Sequence, residues 1–196
     1  MEKVKTIVKE PNKVLRKTAQ ELRLREITSA KIQKLIKDMR SALQKTPDGV
    51  GLAAPQVGEP LRIFIVSEEA EEIDKAEKKG WRRRPEEDPT KKSEEPYQKR
   101  EWKYYVFINP VVKKISKQKL EGPEGCLSVP GKYGTVKRTE KITMEAYNEH
   151  GKKFTRGASK FFARVMQHEI DHLNGTLFID KAEELMEVSK NESQRN

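Results

Sequence analysis

The residues best equipped for chemistry in this 196-residue chain stand together at His168-Glu169-Ile170-Asp171-His172. On a helix, two histidines four residues apart share one face, so both imidazoles can turn toward a single metal ion. Glu169, beside the first of them, can reach a water on that ion without being a ligand. A catalytic divalent centre takes three protein ligands and keeps one position open. The candidate third ligand is Cys126, the only cysteine, in Glu124-Gly125-Cys126-Leu127-Ser128-Val129-Pro130. A thiol ionises readily beside a cation, and Gly125 lets backbone come close to it. A third stretch, GVGLAAPQVG at 49–58, is glycine-rich but has neither P-loop nor dinucleotide spacing. Gln56 is the one polar side chain in it and so a candidate hydrogen-bond donor to a substrate. Each feature has a plainer alternative: paired core histidines, a buried structural thiol, a turn of small residues. Two of only three histidines falling on one apolar stripe argues against the first of these.

That stripe belongs to a helix expected over about 159–173. Phe161, Val165, His168 and His172 recur at helical spacing, with Phe162, Met166, Glu169 and Leu173 on the neighbouring row. Asn174-Gly175 supplies its stop. An earlier helix, capped by Thr28 or Ser29, buries Ile32, Leu35, Ile36, Met39 and Leu43 and ends before Pro47-Asp48-Gly49. Strand signals fall at 61–66, 104–108, 111–115 and 142–147, the last turning through 148–151 into a hairpin. The tail from Asp180 is polar and reads as a short fraying helix.

Composition narrows the setting. One cysteine excludes an intramolecular disulfide framework. The start MEKVKTIVKEPNKVL has no apolar run of secretory type, and no stretch approaches the ~18 apolar residues of a membrane span. A soluble protein of a reducing, cytoplasmic compartment is expected. The net charge is +10, yet residues 68–103 hold 12 acidic and 11 basic side chains and almost no large apolar ones. That segment reads as a charged insertion between two strands of one domain: an exposed helix over about 68–79, then a loop through Pro85, Pro89 and Pro96. Residues 1–45 carry 13 basic against 5 acidic groups, which reads first as a solvated, mixed-charge helix surface and second as a basic face that biases encounters toward polyanions such as RNA, with weak ribosome association as one consequence. No interleaved aromatic pattern points to specific nucleic-acid recognition.

Taken together, GVGLAAPQVG, EGCLSVP and QHEIDH, in that order, closely resemble the peptide deformylase family. The resemblance covers roughly 4–66 and 104–180, with Pro11 and Leu15-Arg16 near the start, and leaves out the insertion and the tail beyond about 182. It implies a single domain over 1–196 of α+β class, with antiparallel sheets packed around a central helix that carries the H-E-x-x-H motif. It implies removal of the N-formyl group from nascent polypeptides that begin with formyl-methionine, releasing formate. Its metal ligands fall on Cys126, His168 and His172, its catalytic glutamate on Glu169, and its oxyanion donors on the Gln56 amide and the Leu127 backbone N–H. Fe²⁺ is the usual ion, for which Zn²⁺, Ni²⁺ or Co²⁺ substitute, and thiolate plus imidazole accept all of them. The methionine pocket falls near Val50, Gly125, Leu127, Val165 and His168, while Gly51 and Gly131 lie where peptide backbone adds to a strand edge. Some members carry Arg where this chain has Tyr133, and Arg164 is placed at the pocket rim as a stand-in. Asp171 is expected to anchor its helix through a partner such as Arg138.

Two other readings fit less well. An H-E-x-x-H peptidase needs a further ligand downstream, and only acidic residues from Asp180 onward are available. A closed structural site in a non-catalytic RNA- or ribosome-associated protein needs a fourth ligand, for which His150 is the only spare histidine.

Overall fold

Alternation within one short strand explains how the molecule is layered. The computed structural model describes residues 5–46, 49–78 and 102–187. Strand β2 (Ile63–Ser67) is buried along its whole length. Its odd positions, Ile63 and Ile65, pack with helix α1 (Ala30–Gln44), and its even ones, Phe64 and Val66, pack with helix α3 (Lys160–Leu173). Successive side chains of a strand face opposite ways, so a strand covered on both faces reads as an unbroken apolar run.

β2 is second in a five-stranded antiparallel sheet of order β1-β2-β3-β6-β7, made with β1 (Gly51–Ala53), β3 (Tyr104–Ile115), β6 (Lys141–Tyr147) and β7 (Lys153–Ser159). A second sheet of order β4-β5-β8 comprises β4 (Lys119–Cys126), β5 (Val129–Thr139) and β8 (Glu184–Glu187). α3 touches strands of both sheets, which gives the expected α+β arrangement around a central helix. The stacked rings of Phe64 and Phe107, 4.6 Å between centroids, lie in the core beneath it.

Local chemistry sets the helix ends. The Ser29 hydroxyl accepts from the Ile32 N–H at 3.4 Å, and the five expected apolar positions of α1 are all buried. The residues expected to stop it, Pro47 and Asp48, lie outside the described residues. α3 ends at Leu173 with Asn174 as its C-cap, followed by Gly175 at φ +73°.

Several expectations need correction. The signals at 104–108 and 111–115 form one strand, with Asn109 at φ +49° between them, its side chain holding the Leu22 N–H and C=O. Asparagine tolerates that left-handed conformation better than most residues. The polar tail is a strand rather than a fraying helix, because the open edge of β5 pairs with 184–187. Helix α2 (Glu69–Lys78), expected to be exposed, buries Ala70 and Asp74 and packs on α3. The rest of the expected charged insertion, at 79–101, and the tail at 188–196 lie outside the described residues.

Candidate metal centre

Helix spacing and a tight hairpin bring three donor side chains together. His168 and His172 stand one turn apart on α3, their rings 5.0 Å between centroids. Cys126 ends β4, where a two-residue turn, Leu127-Ser128, leads into β5, and its Sγ lies 3.2 Å from His172 Nε2. The donor atoms of Cys126, His168 and His172 all fall within 4.8 Å of one another. An ion bound at about 2.0–2.3 Å to sulfur and nitrogen has its ligands no farther apart than that, so the set fits one divalent cation. His172 is 1% exposed, and its Nδ1 is buried with no hydrogen-bond partner.

Around these donors the charges are arranged in a chain. His168 Nδ1 meets Glu124 Oε2 at 2.9 Å, which turns its Nε2 toward the cysteine. Glu124 is in turn gripped by Arg138 through two 2.8 Å bonds and by Arg164 at 3.0 Å. Arg138 also donates to Asp171 at 2.5 Å, the partnership expected for Asp171. Burial alone would raise the Glu124 carboxyl, but hydrogen bonds from Arg138 and His168 outweigh it and bring it down to about 2. Burial likewise pulls His168 down, but its bonds to Cys126 and Glu124 outweigh that and lift it to about 10. His172 is held well below its usual value by burial and by its charged neighbour His168. Glu124 is a functional residue for which the sequence motifs suggest no role, although it stands two residues before the cysteine. Arg164 is not a free group at the rim: it is buried and committed to Glu124 and to the Gly122, Leu120 and Val136 carbonyls.

Glu169 faces the same space with a different electrostatic character. It is 3% exposed, its Oε2 has no partner, and burial pushes its carboxyl up to about 7. A buried carboxyl near neutrality can both accept and donate a proton. Gln56, on a 3-10 turn over Ala54–Val57, accepts from the Ala53 N–H through Oε1 at 2.8 Å. Its Nε2 is thereby aimed at Ser128 Oγ (3.3 Å) and Cys126 Sγ (3.6 Å). The Lys9 ammonium donates to the Leu127 carbonyl, bracing the turn from the N-terminal segment.

A cleft of about 420 Å³ opens onto this cluster. Val50, Gly51, Gly125, Leu127 and Val165 line it together with Cys126, His168, Glu169 and Gln56, whereas His172 lies behind its wall. Gly125 has a further reason to be glycine: a Cβ there would stand 2.9 Å from the Tyr133 ring. At Gly51 a Cβ would fall 2.4 Å from Glu169 Oε1 and 3.0 Å from Val165 Cγ1. Gly51→Ala is therefore expected to displace the Glu169 carboxylate. With Glu169 as the expected general base, turnover should fall by ~10²-fold or more, with folding preserved by circular dichroism. Wild-type turnover in that variant would mean the glycine is not required by Glu169.

An H-E-x-x-H helix gripped between two antiparallel sheets, with a cysteine raised to it on a hairpin, defines an α+β protein with a candidate mononuclear metal centre. Residues 4–188 match the family model for polypeptide deformylase, and the chain belongs to that family. It is 39% identical over 175 residues to peptide deformylase 1A, chloroplastic/mitochondrial, of Arabidopsis thaliana, covering 89% of this chain and 60% of that protein. The chain thus spans less than two thirds of the length of this plant relative. It is 39% identical to peptide deformylase 1 of Bacillus cereus, covering 89% of this chain and 90% of that one. Among solved structures it resembles the Met-Ala-Ser-bound class I type b peptide deformylase of Acinetobacter baumannii, with a TM-score of 0.71 and 28% identity, over 92% of this chain and 99% of that one. The Ehrlichia chaffeensis peptide deformylase is also similar, with a TM-score of 0.69, 34% identity and coverage of 91% and 88%. No helix among the described residues is long and apolar enough to cross a membrane.

Proposed function

We propose that the chain is a metal-dependent amide hydrolase that removes the formyl group from formyl-methionyl ends of newly made polypeptides, releasing formate. The observation that carries this reading is the convergence of Cys126, His168 and His172 within 4.8 Å beside the buried Glu169 carboxyl, whose Oε2 has no hydrogen-bond partner, in the lining of a cleft. Family membership supports it, as does the tripeptide bound to the Acinetobacter relative. Cys126, His168 and His172 hold the ion; Fe²⁺ is the proposed native one, with Zn²⁺, Ni²⁺ or Co²⁺ able to replace it. A divalent cation there supplies Lewis acidity and an acidified water.

The chain's own groups do the rest. Glu169 takes the proton from the attacking water and returns it to the leaving amine. The Gln56 Nε2–H and the Leu127 N–H donate to the oxygen that becomes anionic as the formyl carbon turns tetrahedral. Gln56 is pre-oriented for this by its bond from Ala53, so little reorganisation accompanies charge development. Val50, Gly125 and Val165 receive the methionine side chain. β1 is the edge strand of its sheet, so the peptide backbone can run along it at Gly51.

The whole is proposed as one domain acting in the cytoplasm, with formylated nascent chains as its partner. Weak ribosome association would come through the basic residues of 1–45, without specific nucleic-acid recognition and without membrane attachment. The test is formate release from a formyl-Met peptide by anaerobically prepared, metal-analysed protein. Removing one oxyanion donor costs ~3 kcal/mol, so Gln56→Ala should slow turnover by about two orders of magnitude with its metal retained. A wild-type protein that binds metal but releases no formate, or a Gln56→Ala variant at full kcat, would refute the corresponding part.

A further inference from the structure

α3 begins without the usual local help. Its N-cap residue, Ser159, makes no side-chain capping bond, its first turn holds no acidic residue, and Lys160 sits at φ +49°. The first N–H groups of any helix need acceptors from outside it. Here two are met by Asp74 of α2. Its Oδ1 accepts from the Phe161 N–H at 2.9 Å and its Oδ2 from the Phe162 N–H at 3.1 Å. A carboxylate at that end also complements the helix dipole.

α2 is itself held in place. Glu71 accepts from the Tyr105 hydroxyl at 2.8 Å and from Arg156 at 2.6 Å, and the Arg156 guanidinium lies over the Tyr105 and Phe162 rings. Ala70 is fully buried beneath it. The far end of α3 has separate anchors, Arg138 and Lys181 on Asp171. The N-terminal half is held from two sides, at its first amides by Asp74 and at Arg164 by Glu124 and the Gly122, Leu120 and Val136 carbonyls. The N-terminal end carries Phe161 and, one turn on, Val165, both lining the cleft. The C-terminal end carries the histidines and Glu169.

We propose that Asp74 is a positioning residue for substrate selection: by capping α3 from the first helix of the charged segment, it holds Phe161 and Val165 as the apolar wall that receives the first side chain of the peptide. This deepens, and rests on, the deformylase reading above. It gives 69–78 a part in the enzyme that its composition alone conceals.

The test compares Asp74→Ala and Asp74→Asn with the wild type on formyl-Met-Ala-Ser and formyl-Ala-Ala-Ser, alongside metal analysis and hydrogen exchange at the Phe161 and Phe162 amides. Asp74→Ala is expected to raise KM for the methionyl peptide by at least about threefold, with roughly 30-fold as the ceiling set by the whole energy of a lost cap, and with kcat within about twofold. The preference for Met over Ala should shrink, exchange at the two amides should quicken, and bound metal should be unchanged. Asp74→Asn keeps the shape and one acceptor oxygen, so it should fall between, and it carries the test alone if Asp74→Ala does not fold. Wild-type KM and wild-type preference in the variants would overturn the assignment. So would a fall in kcat and metal content at constant KM, which would place the cap's effect at the histidines. A wild-type protein inert toward both peptides overturns the deformylase reading and this assignment with it, whereas an active wild type with indifferent variants overturns this assignment alone.

Discussion

Glu169→Ala is expected to release formate ~10²- to 10⁴-fold more slowly than the wild type while binding its divalent ion undiminished, the range a positioned general base contributes. The two readouts separate because Glu169 is not one of the three clustered donors. Nothing holds its Oε2, and Gly51 gives its other oxygen room. Burial pushes its carboxyl up to about 7, which suits the proton transfer proposed for it. The same burial makes a prediction about stability. An unpartnered polar group buried in a wall costs free energy, so its removal should leave the thermal midpoint unchanged or raise it. Formate kinetics, metal content and a melting curve on one preparation test all three statements. Undiminished turnover would remove Glu169 from the mechanism, and loss of metal together with activity would make it a structural support instead.

The parts of this site that lie close in sequence were the legible ones. Four-residue spacing places His168 and His172 on one face whatever else the chain does, and Phe161 and Val165 on the same stripe mark it as the apolar one. The apolar stripe of α1 is equally local. β4 and β5, which present the cysteine, gave no usable signal, because Gly122, Pro123, Gly125, Pro130, Gly131 and Gly134 interrupt any alternation. Those interruptions have a spatial cause. A Cβ at Gly122 would stand 2.9 Å from the Arg164 guanidinium, which needs that space to reach the strand's carbonyls. β8 could not be read from its own polar sequence, since the vacant edge of β5 decides its conformation. Asp74 is hardest of all. It is one charge among many in its run, and its partners are amides 87 and 88 residues away.

Arg138→Met should have the largest effect on stability. Arg138 is 5% exposed, bound twice to Glu124 and once to Asp171, so its loss takes the principal partner from one buried acid and a buried partner from another. Breaking a buried ion pair from one side costs about 3–5 kcal/mol, because the remaining charge keeps its desolvation penalty without its partner. In a chain of this length that lowers the thermal midpoint by roughly 6–20 °C. The residual partners, Arg164 and His168 on Glu124 and Lys181 on Asp171, place the loss within that range rather than above it. The metal should feel the change as well. Glu124 orients His168, and disturbing such an outer partner typically weakens metal binding by about 10- to 100-fold. Adding Glu124→Gln removes one of those buried charges, so the double variant should melt above Arg138→Met while its metal affinity stays low. A single variant that melts with the wild type would show that the Glu124-Arg138-Asp171 chain contributes nothing net to the fold. One that melts early but binds metal normally would separate the stability of the helix from the orientation of His168.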